Sequence, residues 1–320
     1  MASTTTATLG RRVAALRDKR RVRPQATQPT RPVAEVPPLS PRLQLVRALL
    51  VMLAVLTAAM VVQLTIVSSL QQRAAQGRAF DRFRAELANG IAPIGPTGTD
   101  GRELPRGTPV ALLEIPSIDL RQVVVEGTDA ATLFDGPGHR RDTPLPGQAG
   151  TSIVFGRRAA YGGPFSRIGQ IAPGSVVSVT TGQGVFEYRV IAVRRDGDPL
   201  PAPLAAGTSR LTLITADGSA YLPSGALRVD AELTEGVVGG APRTVATAAL
   251  PDDEALMSSS SAMLWALVLW LQLLVVLAVA AVWAWFRWGR AQAWIVFTPP
   301  LILVGLGVAG ELARLLPNVM

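Results

Sequence analysis

The sequence predicts a mainly β protein: one small closed β-barrel or sandwich with short helices, combined with three transmembrane α-helices, one before the β domain and two after it. Three observations predict it. Three charge-free apolar runs each reach the roughly 20 residues that a helix needs to cross a bilayer. Between the first and second runs the texture changes to short strands broken by Gly, Pro and Asp turns. The chain has 320 residues and is 48% hydrophobic, enough for one or two domains with a real core.

Residues 1–47 come first. They hold ten basic and two acidic residues, which is a net charge of +8, equal to that of the whole chain. With their Thr runs and Pro-rich stretch they are predicted to be a disordered basic tail attracted to an anionic inner leaflet. The middle of the chain, 48–261, holds eighteen Arg and twenty acids, a net of −2. No basic surface interleaved with aromatics is visible there, so a nucleic-acid partner is excluded.

The first apolar run, "ALLVMLAVLTAAMVVQLTIVSSL", spans 48–70. The long tail before it and its length argue for an uncleaved anchor rather than a signal peptide. Arg42, Arg47 and the tail place the N-terminal side in the cytoplasm by the positive-inside rule. In 71–107, Phe80, Phe83 and Leu87 recur at helical spacing, which predicts a juxtamembrane helix packed on the domain, followed by a Gly/Pro linker.

Residues 108–235 carry the strands "VALLEIPSI", "RQVVVEG", "TSIVFG", "SVVSVTT", "GVFEYRVIAVRR", "RLTLIT" and "ALRVDAEL". "TTGQGV" signals a hairpin, and a sharp turn is expected at Asp217-Gly218. "ATLFDGPG" and "GPFSRIGQI" are the short helical candidates. Many short strands in so few residues predict a closed barrel or sandwich. Linker composition returns over 236–261.

Transmembrane helices are predicted at 262–286 and 291–310, joined by "RWGR". Two arginines in so short a loop favour the cytoplasm. The barrel is then extracellular in a multi-pass plasma-membrane protein, with the residues after the third helix on the barrel's side. All six Trp fall in this hairpin, mostly at interfacial depth, but Trp270 lies deeper and needs a helix neighbour. Pro299-Pro300 interrupts the third helix, and Gly305 and Ala309 have the spacing of a helix contact.

The chain has no cysteine and one histidine. That removes disulfides, cysteine metal sites and thiol nucleophiles together. No cofactor and no metal are expected.

At this point a family resemblance appears. "LLEIPSIDLRQVVVEGTDAATLFDGPGHRRDTPLPGQAGTSIVFGRR" resembles the amino-terminal half of a sortase barrel, closest to the class E type of actinobacteria, which are Gram-positive. "AYGGPFSRIGQIAPGSVVSV", "FEYRV" and "LTLIT" continue the family's order, so the resemblance covers roughly 108–235. It implies a membrane-anchored cysteine transpeptidase that cuts a sorting motif in a secreted protein. A thiolate attacks the carbonyl, a histidine moves protons, and an arginine stabilises the oxyanion.

The same resemblance implies that the chemistry is lost. Arg157 of "FGRR" stands at the histidine position, Ala216 of "LTLITA" at the cysteine position, and Ala226 of "ALRVDAEL" at the arginine position. Arg228, two residues on, shares the strand face of Ala226. Arginine stays protonated and cannot shuttle protons. Thr215 faces away from Ala216, and Ser219 lacks an evident base. No residue is therefore expected to be catalytic. Arg157, Arg158, Asp217, Arg228 and His139 are the candidate cleft-binding residues, with His139 expected in a structural hydrogen-bonding role. Arg157 and Asp217 either pair with each other or sit independently at the cleft rim.

The predicted function is a catalytically degenerate, sortase-like accessory, scaffold or peptide-binding factor in cell-envelope protein attachment or assembly. Its expected partners are membrane lipid and a secreted or cell-wall protein, a peptide or an active sortase. Two alternatives differ in class: a sortase-fold enzyme with a non-cysteine hydrolase or transferase chemistry, or a membrane-complex subunit whose function lies in the Trp-rich hairpin.

Overall fold

The structure is a computed structural model that describes residues 40–240, 245–258 and 264–320. The tail expected at 1–47 lies outside the described residues up to 39. The chain divides into two compact units, Met1–Ala48 and Leu49–Met320. The first is described only from Ser40, as the opening of a helix that begins at Pro41, inside the stretch expected to be tail. Everything below concerns the second.

Helix α1 (Pro41–Val62) continues through a π-helical turn (Gln63–Val67) into α2 (Ser68–Ala88). The juxtamembrane helix expected from sequence is the far end of the helix that begins with the anchor. No proline intervenes, so nothing breaks the hydrogen-bond ladder. The extra residue of the π turn coincides with a buried polar side chain, Gln63, near Gly310. Further along, α2 clamps the barrel. Gln76 Oε1 accepts the Val123 N–H at 2.7 Å, while its Nε2 donates to Val123 and Asp135 carbonyls. Phe83 is buried against Leu112 and Val123.

The barrel has eight strands: β1 (Pro109–Ile115), β2 (Leu120–Glu126), β3 (Gly138–His139), β4 (Gly150–Phe155), β5 (Val176–Thr181), β6 (Gly184–Arg194), β7 (Ser209–Ser219) and β8 (Leu222–Leu233). It closes in the order β1-β2-β3-β4-β7-β8-β6-β5. Pairs β2/β3 and β4/β7 are parallel and the rest antiparallel. "TTGQGV" is the β5–β6 hairpin, with Thr181 opposite Gly184. The helical candidates form α3 (Ala130–Asp135), whose start Asp129 caps by accepting from Ala131 and Thr132 N–H groups, and a 3-10 turn at Ile168–Gln170.

Alternation along β7 sorts its side chains into two clusters. Leu211 and Leu213 point into the barrel with Tyr188, Phe165, Leu227 and Val229. Ile214 and Ala216 point outward into a second cluster. The expected turn at Asp217-Gly218 is instead a β-bulge. Gly218 takes φ +93, the register shifts there, and β7 runs on until Ser219 faces Leu222 across the hairpin.

Helices α4 (Leu264–Trp288) and α5 (Arg290–Arg314) form a hairpin hinged on Gly289 (φ 105). With the anchor helix they are three helices long and apolar enough to cross a membrane. Helix α5 runs unbroken through Pro299 and Pro300. Trp270 finds the neighbour its depth demands, because a Cβ on Gly307 would meet its ring at 2.8 Å. Gly305 faces Ala59 of α1, so the small-residue face is a helix contact. Both ends of the hairpin meet at the barrel: Asn318 N–H donates to the Ser258 carbonyl at 2.9 Å.

Candidate functional site: a filled cleft

The outward face of β7 and β8 begins with two alanines. Ala216 lies directly across from Ala226 in the β7/β8 ladder, and both are buried. Phe155 from β4, Leu133 from α3 and Ile214 complete an apolar floor. Beyond the end of β4, Gly156 passes close under the Phe165 ring. A Cβ there would lie 2.4 Å from ring carbon, so only glycine lets the chain turn toward the cleft. The next residue is Arg157.

Arg157 is 0% exposed. Its guanidinium carbon lies 4.5 Å from the Phe134 ring centre and 5.3 Å from that of Tyr161. Those two rings stack on each other at 4.0 Å. Tyr161 adopts φ 54, unusual for a side chain of its size, and its N–H donates to Ser68 Oγ of α2 at 3.2 Å. Burial pushes the Arg157 pKa down to about 10, still far enough above neutrality to leave it a cation. Its Nη1 donates to the Met320 main-chain oxygen at 3.4 Å, while Nε and Nη2 have no hydrogen-bond acceptor among the described residues.

The cleft is full. The segment after α5, Pro317–Met320, forms a turn closed by Met320 N–H to Pro317 O, 3.1 Å. Val319, fully buried, inserts between Leu133, Phe155, Ile214, Ala216 and Ala226. Its carbonyl accepts from Arg158 N–H at 3.1 Å and Ala216 N–H at 3.4 Å. Asn318 Nδ2 lies within reach of four acceptors: Ser258 Oγ (2.6 Å) and the carbonyls of Asp253 (2.7 Å), Thr128 (3.1 Å) and Ala255 (3.4 Å).

A second covering segment precedes α4. Leu256 and Met257 pack on the same apolar cluster. Glu254, buried, holds this strap to the barrel through Arg106 (2.9 Å) and Arg141 (3.5 Å). Burial raises its pKa against the opposing pull of the two arginines. The stretch expected to be linker, 236–261, is therefore in part a fitted cover.

The residues singled out from sequence fall into three groups. Arg157, Arg158, Ala216 and Ala226 meet at the cleft, and Arg158 also donates to the Ala216 carbonyl at 3.1 Å. Asp217 does not reach Arg157: the bulge turns it to the rim, where it meets Arg195 at 3.2 Å. Arg228 shares the outer face of β8 but is engaged by Asp196 at 2.7 Å, and that carboxylate also accepts the Ala226 N–H. His139 is committed elsewhere. Its Nδ1 meets Glu126 at 2.9 Å and its Nε2 the Pro144 carbonyl at 3.0 Å. Burial opposes its protonation, but the Glu126 charge and hydrogen bond prevail, so its pKa is raised.

Sequence reasoning missed Phe134, Tyr161 and the segment Pro317–Met320. The last carried a signal. The predicted topology returns it to the barrel's side, and Val319 and Met320 are apolar residues there with no lipid to meet.

Residues 113–229 match the family model of the sortase domain. Sortase D of Bacillus subtilis (strain 168) is 32% identical over 88 residues, 28% of this chain and 43% of that one, so the chain spans less than half the length of this curated relative. Among solved structures, a Clostridium perfringens sortase D5 transpeptidase is 19% identical with a TM-score of 0.42, covering 51% of this chain and 99% of that one. Sortase E from Streptomyces avermitilis is 30% identical with a TM-score of 0.36, covering 41% and 91%. The matched residues, 113–229, run through the closed barrel, so it is the barrel of this chain that is similar to the sortase domain.

Proposed function

We propose that this chain is a membrane-anchored sortase-like protein without transpeptidase activity, its barrel outside the cell and its N-terminal tail in the cytoplasm. It serves as an accessory, scaffold or peptide-binding factor in attaching or assembling cell-envelope proteins. One observation carries the reading: Ala216 faces Ala226 across an apolar floor that Val319 fills, and the two side chains that follow β4 into the cleft, Arg157 and Arg158, are both arginines. A chain without cysteine offers no thiolate, and an arginine at the histidine position is no proton acceptor near neutral pH. Thr215, the hydroxyl next in sequence, is buried on the opposite face of β7.

The test uses the full chain in detergent with sorting-motif peptides and an amine acceptor, read by mass spectrometry. Intact peptide is the expected result. Cleavage or transfer that is lost on mutating one polar cleft residue would establish the alternative, a non-cysteine enzyme. Purification from the native membrane, with crosslinks mapped, tests the accessory role. A secreted or cell-wall protein or an active sortase should crosslink to the barrel. Crosslinks confined to α4 and α5 would favour the membrane-complex reading, which the Asn318–Ser258 link between hairpin and cleft supports.

A further inference from the structure

We propose that the cleft is a self-occupied peptide site: its resident ligand is the chain's own turn Pro317–Met320, and it accepts in exchange a peptide of the same chemistry. That chemistry is a turn carrying Asn followed by a small branched apolar residue. The inference rests on the reading of the cleft as a non-catalytic holding site.

The segment is held as a ligand is held. Two N–H groups from different parts of the barrel, Arg158 and Ala216, converge on one carbonyl, that of Val319. A buried cation, Arg157, reaches the Met320 main-chain oxygen, and its Nε and Nη2 have no acceptor among the described residues. The Asn318 amide reads three carbonyls and a hydroxyl. A primary amide places two N–H donors on one nitrogen there without introducing charge. The side chains absent from 216 and 226 are what make room for Val319: any larger residue at either position would project into its place. The pocket therefore selects a small branched side chain directly after Asn.

Delivery is built into the chain as well. The turn follows α5 directly, and its Asn318 hydrogen bonds to Asp253, Ala255 and Ser258, just before α4. Tethering gives such a segment an effective concentration in the millimolar range, so a competing peptide must match that or the hairpin must move.

The cysteine-free sequence allows a clean test on the full chain in detergent. V319C and, as an exposed control, L222C are labelled with a maleimide; Leu222 is 77% exposed. V319C is expected to react on the order of a hundredfold more slowly, as a site that reacts only through local opening. Equal rates would overturn occupancy. Next, the peptide Leu-Leu-Pro-Asn-Val-Met is added at several millimolar. V319C labelling should rise, L222C labelling should not, and a peptide with Asp in place of Asn should have no effect. No rise with either peptide, or an equal rise with both, overturns exchange and its selectivity. Mass spectrometry of the added peptide separates the two readings. A cleaved peptide sinks the non-catalytic reading even if occupancy holds; an intact peptide with unchanged V319C labelling sinks exchange alone.

Discussion

Val319 sits on Ala216: its carbonyl accepts the Ala216 N–H at 3.4 Å, and its side chain packs in the cluster that Ala216 and Ala226 floor. Contact this close makes the two positions energetically dependent. Ala216→Leu overfills the cluster and is expected to cost about 1–3 kcal/mol. Val319→Ala alone costs a comparable amount by leaving a void. Combined, they should cost clearly less than their sum, because the smaller residue makes room for the larger. Thermal unfolding of the four chains measures this coupling, and strictly additive losses would show that the residues do not touch.

Asn318 gives a second, chemically distinct handle on the same segment. Asn318→Ala removes an amide from a partly buried ring of acceptors, expected to cost about 1–3 kcal/mol. Asn318→Asp should be worse than Ala, since a carboxylate oxygen then faces the carbonyls of Asp253, Thr128 and Ala255. Amide hydrogen exchange reads the effect locally. Protection at Arg158 and Ala216 should fall in the order wild type, Ala, Asp. An Asp variant as protected as wild type would mean that the amide is not the donor.

How much of this could be read from the sequence is shown best by neighbouring positions. Strand alternation was enough to place Ala216 and Ala226 on one face and Thr215 on the other, because period two is a property of the backbone itself. The partner of Asp217 was not legible. The Asp-Gly pair reads as a turn, yet β7 absorbs it as a bulge and swings the carboxylate toward Arg195. Likewise the helical spacing of Phe80, Phe83 and Leu87 marked a juxtamembrane helix but not its continuity with the anchor, since a change of polarity near 70 does not by itself end a helix. The filling of the cleft is a contact between residues about a hundred positions apart, which local pattern does not encode; only the membrane topology pointed toward it.

Arg157 should be dispensable for stability. Its charge is taken out of water with two nitrogens, Nε and Nη2, lacking acceptors among the described residues, and its compensation is a pair of aromatic faces and one long hydrogen bond. Replacing such a group by an apolar one of similar length is often neutral or stabilising. Arg157→Met is therefore expected to melt at or above the wild-type temperature, while losing response to the competing peptide in the labelling experiment. A large drop in melting temperature would mean that the rings and the Met320 carbonyl fully compensate the buried charge.

His139 predicts how stability responds to pH. Its folded pKa is raised, so the folded state holds the proton more tightly than the unfolded state, where histidine titrates near about 6.5. The contribution is fully present below that value and is lost as pH rises through the folded pKa. Unfolding midpoints should therefore fall as pH increases above about 6.5, and this part of the slope should vanish in His139→Asn. Glu126→Gln should flatten it too, since the carboxylate charge is what outweighs burial. A slope unchanged in both variants would place the titrating group elsewhere.

The hairpin offers a test inside the membrane region. Gly307 lets the Trp270 ring lie against the α5 backbone, and an added Cβ would come within 2.8 Å of it. With no water to expel, association of such helices depends on close packing of small residues. Gly307→Leu should separate α4 from α5 and loosen the segment that follows α5, so V319C labels faster in that background although position 307 is far from the cleft in sequence. Trp270→Ala should restore much of the packing lost in Gly307→Leu, because the clashing ring is gone. If Gly307→Leu leaves V319C protection unchanged, the hairpin and the cleft are independent, and the turn Pro317–Met320 is held by the barrel alone.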